Sequence, residues 1–177
     1  IHVLSHEGIS QKEALKILSR KKHQLDTLFT VKRVIDGDTL ELETGEQVEL
    51  IGIDCPEADT EEGKKATKFV KGLVEGQEVR LGFDAEQRDK NERLLAYVFI
   101  DYPSYVEFEQ QEEWFYGTQG VSQYVFVNAT IIKAGYASPM TVPPNVKYAD
   151  SFQKLYQEAR ENKRGLWKEA ESASIPL

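Results

Sequence analysis

Histidine is confined to the first 23 residues of this 177-residue chain, at His2, His6 and His23. Any chemistry further along must run on carboxylates, Lys, Arg, Tyr, Ser, Thr or backbone groups, without an imidazole base, nucleophile or metal ligand. Cysteine is almost absent as well. The single Cys55 excludes an intrachain disulfide and a cysteine-built zinc site. No apolar run approaches the roughly 18 residues that cross a bilayer, so no membrane-spanning helix is expected. Positive charge is in deficit, with 22 Lys+Arg against 30 Asp+Glu and a net charge of -8. That balance argues against tight, nonspecific nucleic-acid binding, but leaves room for a local basic site or a substrate held through a metal ion. What is present suits one globular domain with an appendage: 40% hydrophobic and 29% charged residues. The chain opens on Ile1 without a signal-peptide core, which reads as a processed or trimmed form whose cellular address is not legible.

Residues 1–9 carry no periodic pattern. Ser10-Gln-Lys-Glu13 reads as a capping box, followed by an apolar stripe at Ala14, Leu15, Ile17, Leu18 and Leu25 with Lys and Arg opposite. Residues 1–26 are therefore expected to be a leader and an amphipathic helix, packed on the following domain or free for a membrane or partner. From Thr27 the period shifts to strands: Leu28–Ile35, a second around Leu40 and Leu42 before a Thr44-Gly45 turn, and a third over Val48–Ile53. Ala66, Phe69, Val70, Leu73 and Val74 follow helical spacing. Glu78–Phe83 and Leu94–Ile100 read as strands, and Phe126–Lys133 as a helix that Gly135 ends. A last amphipathic helix runs from Tyr148 to Ala159, with Gly165 placed as its C-terminal cap. Residues 101–125 hold seven aromatic side chains and many acids without Lys or Arg, which reads as a long hairpin on the barrel wall or a grip for a protein partner or a sugar.

Three polar segments sit at strand ends. Asp36-Gly37-Asp38-Thr39, taken alone, is a tight turn whose Asp and Gly tolerate the required backbone angles. Asp54-Cys55-Pro56-Glu57 is a strand exit stiffened by Pro56, and Asp89 to Arg93 is a polar loop entering the strand through Tyr97. Together they meet the needs of phosphodiester displacement without histidine. Hard cations want converging oxygens, water must be deprotonated or oriented, and a cationic group must meet the developing charge.

These segments, with Phe126-Val-Asn128 and Gly165-Leu-Trp167, resemble the staphylococcal nuclease (thermonuclease-like) family from about Thr27 to Trp167. The resemblance implies an α+β fold that is mainly β barrel: a five-stranded OB-fold barrel with three helices. Here it would carry an extra N-terminal helix and the long acidic aromatic insert. The expected domain is 27–168 with the insert at 101–125, followed by a tail at 169–177. The resemblance also implies calcium-dependent cleavage of DNA and RNA by a nuclease, most readily of single strands, and a secreted or cell-envelope setting. By it, Asp38, Asp54 and the Cys55 carbonyl hold Ca2+, and Asp36 lies beside the metal. Glu57 activates or positions water, Arg93 stabilises the phosphorane-like state, and Lys90 approaches a substrate phosphate. The Cys55 thiol is expected to be inert.

The sequence departs from the family pattern at Glu49, where a second catalytic arginine is expected, and at Glu92, where glycine is usual. The base-stacking tyrosines are replaced by Asn91, Thr141 and Pro143. Losing one transition-state donor costs about 2.7–4 kcal/mol, and an acid in its place costs more. Arg33 and Arg88 are candidate replacements for the missing guanidinium. Strict alternation puts Glu49 and Asp54 on opposite faces, unless a bulge near Gly52 reunites them. The expectation is a weakened phosphodiesterase, favoured because four catalytic-type positions survive. The alternative is a catalytically impaired module that binds nucleic acid or protein, or a calcium-binding structural unit.

Overall fold

The computed structural model describes residues 27–102, 116–119 and 122–170. The expected N-terminal helix, the insert over 103–115 and the tail beyond 170 lie outside the described residues.

Five strands close the barrel: β1 (Leu28–Asp36), β2 (Thr39–Leu42), β3 (Gln47–Leu50), β5 (Glu78–Gly82) and β6 (Leu94–Tyr102). Antiparallel pairing joins β3 to β2, β2 to β1, β1 to β5 and β5 to β6. Parallel pairing of β3 with β6, Glu49 opposite Leu95, seals the ring. No unpaired edge then remains around the barrel. Alternating apolar residues fill it, among them Phe29, Val31, Leu40, Leu42, Leu81 and Val98, all 1% exposed or less. β6 runs on past the barrel to pair with β8 (Ser122–Phe126), and β8 pairs with β7 (Tyr116–Gln119). The base of the expected acidic hairpin is thus strand, continuing the barrel sheet.

Helix α1 (Glu61–Val74) turns Gly63, Ala66, Val70, Leu73 and Val74 inward, and Thr60 caps it by accepting from the Gly63 amide at 3.0 Å. Helix α2 (Val127–Lys133) is buried at six of its seven positions. It ends as its sequence predicts. Gly135, at φ 87°, lets the Tyr136 amide donate back to the Ile131 carbonyl at 3.0 Å. Helix α3 (Ala149–Glu161) buries Phe152, Leu155 and Ala159, and a short turn, α4 (Trp167–Ala170), follows.

Two expectations need correction. Val48–Ile53 is not one strand. It breaks after Leu50, and β4 (Gly52–Asp54) leaves the barrel to pair with β9 (Ser138–Met140). The break is at Gly52, whose φ of 82° is unfavourable for a residue with Cβ. Gly165 does not cap α3 either. Lys163 takes the left-handed position (φ 52°), and the Arg164 amide donates to the Ala159 carbonyl at 2.9 Å. Gly165 instead permits a close backbone approach, since a Cβ there would strike the Ala134 carbonyl.

Candidate functional site

The site is assembled at one end of the barrel, where the β1–β2 turn meets the exit from β4. Two register shifts in β1, between Val31 and Arg33 and between Val34 and Asp36, bend the strand just before the turn. The Asp38 amide donates to Asp36 Oδ1 at 3.1 Å, and the Cys55 amide donates to Asp38 Oδ2 at 2.9 Å. The second bond ties the turn to the residue following Asp54. Gly37 is required by proximity rather than by its backbone angle: a Cβ there would lie 2.7 Å from Cys55 Sγ. The sequence expectation of a turn-angle role for Gly37 is thereby replaced by a packing one.

Crowding of carboxylates marks this corner electrostatically. Burial is the main cause that pushes Asp38 up from 3.8 to about 7, with the hydrogen bond and charge of Asp36 and the charge of Asp54 adding to it. The Cys55 amide opposes the shift. The Cys55 thiol is pushed up as well, by burial first and then by the three aspartates, which suppresses thiolate chemistry.

A second cluster adjoins the first. Asp89 Oδ1 accepts from the Asn91 and Arg93 amides at 2.8 and 3.0 Å, and Oδ2 accepts from Arg93 Nε at 2.7 Å. Arg93 also pairs with Glu49 Oε2 at 2.8 Å. Burial works against the charge on Asp89, but its bonds to Arg93 and Asn91 outweigh that and hold its carboxyl below the ordinary range. Glu49 goes the other way: burial raises it, and the charge of Arg93 only partly compensates. Asp36 acts electrostatically on Asp38, Glu49 and Arg93 alike, so the two clusters are neighbours.

Glu49 therefore points neither to solvent nor into the Asp38–Asp54 pair. It latches the surviving arginine. The other two candidate guanidiniums are engaged elsewhere: Arg33 pairs with Glu41 at 2.6 Å, and Arg88 pairs with Glu46 and donates to the Glu92 carbonyl. Glu92 is exposed and sits at φ 63°, which accounts for glycine in the family pattern at this place. Glu57 and Lys90 are exposed on flanking loops, and the Glu57 carbonyl accepts from Thr60 Oγ1 at 2.7 Å at the head of α1. Lys90, Glu49, Asp89 and Arg93 line a cavity of about 360 Å³ that reaches Met140 and Asn145.

Asp89 and Asn128 lie in motifs the sequence singles out, but it assigns neither a role of its own. The signal for Asp89 was its place four residues before Arg93. Buried Asn128 accepts from the Val98 amide at 2.9 Å and donates to the Ile51 and Ala96 carbonyls at 2.9 and 3.3 Å. It braces the β3–β4 break from below. Among the described residues, no group of three or more His, Cys, Asp or Glu side chains forms a ready-made metal cage. The donor set at the turn is all oxygen, and its crowded carboxylates are short of positive charge, which suits a hard cation completed by water and backbone carbonyls.

A small OB-like barrel with strand-end carboxylates facing an arginine defines the class. The chain belongs to the staphylococcal nuclease homologue family, whose model matches residues 47–169. It is 33% identical over 148 residues to the thermonuclease of Staphylococcus intermedius, covering 78% of this chain and 75% of that one. A thermonuclease of Staphylococcus hyicus is 30% identical over 148 residues, with the same 78% and 75% coverage. Endonuclease YncB of Bacillus subtilis is 33% identical over 149 residues, covering 78% and 60%. No helix among the described residues is long and apolar enough to cross a membrane.

Proposed function

We propose that this chain is a calcium-dependent nuclease that hydrolyses phosphodiester bonds of DNA and RNA, slowed by its own Glu49. The relatives named thermonuclease and endonuclease support the reaction class. The observation that carries the proposal is the half-buried Asp38, crowded by Asp36 and Asp54 and bonded to the strand exit at Cys55. Asp38, Asp54 and the Cys55 carbonyl would hold Ca2+, with Asp36 beside it. The bound ion supplies Lewis-acid polarisation of the phosphate. Glu57, whose backbone carbonyl is held by Thr60 at the head of α1, would orient the attacking water with its exposed carboxylate. Arg93 meets the charge that develops on the equatorial oxygens, and Lys90 steers a neighbouring phosphate from the cavity rim.

The ion pair of Arg93 with Glu49 sets the rate. A phosphate must displace Glu49 before the guanidinium can serve it. Burial opposes the charge on Glu49 and so weakens its hold on Arg93, which eases that exchange. The same contact favours a second reading, a binding module whose arginine is permanently engaged. Calorimetric titration with CaCl2, run beside a single-stranded DNA cleavage assay with a chelator control, separates them. Calcium binding that is lost in Asp54→Asn, together with chelator-sensitive cleavage, supports the nuclease. Calcium binding without cleavage, even at high protein concentration, leaves the module.

A further inference from the structure

A second cavity of about 280 Å³ opens on the far side of Asp54, bounded by Pro56, Tyr136, Ser138, Leu166 and Trp167. It shares no lining residue with the larger cavity that holds Arg93. The two are strung along one ribbon. In the β4–β9 pairing, Asp54 opposes Ser138 at one end and Gly52 opposes Met140 at the other. Asp54 and Ser138 line the second cavity, and Gly52 and Met140 line the first. At strand rise those ends are about 7 Å apart, which is about two steps of a stacked nucleic-acid strand at about 3.4 Å each.

The walls of this cavity are built rather than incidental. Tyr136 is fixed by stacking on Phe69, with ring centroids 4.7 Å apart and planes at 20°. Trp167 is held edge-on to Tyr156 at 5.5 Å, with the Arg160 guanidinium 5.0 Å from its ring centre. The two aromatic walls are locked together by backbone. The Leu166 amide donates to the Gly135 carbonyl at 3.0 Å, and a Cβ on Gly135 would collide with the Arg164 carbonyl. Rings restrained in this way lose little freedom when a flat ligand enters.

We infer that the Tyr136–Trp167 cavity receives a nucleobase of the strand being cut, flanking the phosphate at Asp54 on the side opposite the Arg93 cavity. This rests on the nuclease reading above. Asp54 at the mouth disfavours a phosphate inside, whereas an uncharged base with N–H donors and a broad π face suits the rings and the Ser138 hydroxyl. It also supplies an aromatic platform to a chain in which Asn91, Thr141 and Pro143 stand at the family's stacking positions.

Trp114 and Trp167 are the only tryptophans, so Trp114→Phe leaves Trp167 as the single reporter. The probe is a five-nucleotide single-stranded DNA with phosphorothioate linkages, titrated in the presence of calcium against an all-abasic oligomer of equal length. The expected result is saturable quenching of Trp167 emission by the base-bearing oligomer alone. In cleavage of ordinary DNA, Tyr136→Leu raises KM about tenfold while leaving kcat near its parent value. Cleavage by the parent with no quenching, or equal quenching by the abasic oligomer, overturns the cavity assignment while the nuclease reading stands. Base-dependent quenching in a chain that never cleaves sinks the nuclease reading and retains the base site.

Discussion

Asp38 carries the largest electrostatic burden among the site carboxylates, and its behaviour with pH follows from that. A carboxyl raised from 3.8 to about 7 binds its proton more tightly in the folded state than in the unfolded one. Without a cation, folding stability therefore falls as pH rises from about 4 to about 7 and levels off above. Thermal melts in chelator across that range should show the decline, and calcium should restore stability most at high pH. Asp38→Asn keeps an oxygen to accept the Cys55 amide but removes the charge. It should stabilise the cation-free protein at pH 8 by about 2–4 kcal/mol and abolish calcium binding in calorimetry. Glu49 was legible as a departure from the family pattern. Its destination was not, because the Arg93 it latches enters from a different strand across the parallel β3–β6 seam. Periodicity reports which face a side chain occupies, not which charge waits there.

Strands and helices whose pattern is local were readable: β5 by alternation, β6 as a short apolar run, β1 by the change of period at Thr27, α1 by its three-and-four spacing, and the end of α2 by Gly135. The break between β3 and β4 was legible only as a bulge near Gly52 and not as a change of partner, because the apolar run continues through it and β4 pairs with the distant β9. Gly52 is the local hinge. Gly52→Ala would place a Cβ 2.5 Å from the Phe152 ring in a left-handed backbone. It should cost more than about 2 kcal/mol in a denaturant titration, with loss of calcium binding because Asp54 is re-aimed. Lys163 was missed as the α3 terminator because a lysine at positive φ carries no compositional signal. Glu92 shares that conformation at 63°. Glu92→Gly should therefore raise the denaturant midpoint, by about 0.5–1 kcal/mol in stability, since relief of left-handed strain exceeds the added chain entropy.

At the scale of the molecule, a net charge of -8 faces a polyanion. If the proposed centre holds its cation, binding depends on that ion and on few direct phosphate contacts. With Lys90 and Arg93 as those contacts, the logarithm of affinity for single-stranded DNA should fall against log salt with a slope of about -1.4, at about -0.7 per contact. A much steeper slope would reveal a basic track outside this site. The most direct test of the whole account is the rate of single-stranded DNA cleavage by the parent and by Glu49→Gln, each with calcium and with chelator. Freed from one of its two carboxylates, Arg93 should raise kcat by about tenfold or more, and chelator should stop both proteins. Equal rates in the two proteins, or cleavage that survives the chelator, would contradict a cation-dependent centre restrained by Glu49.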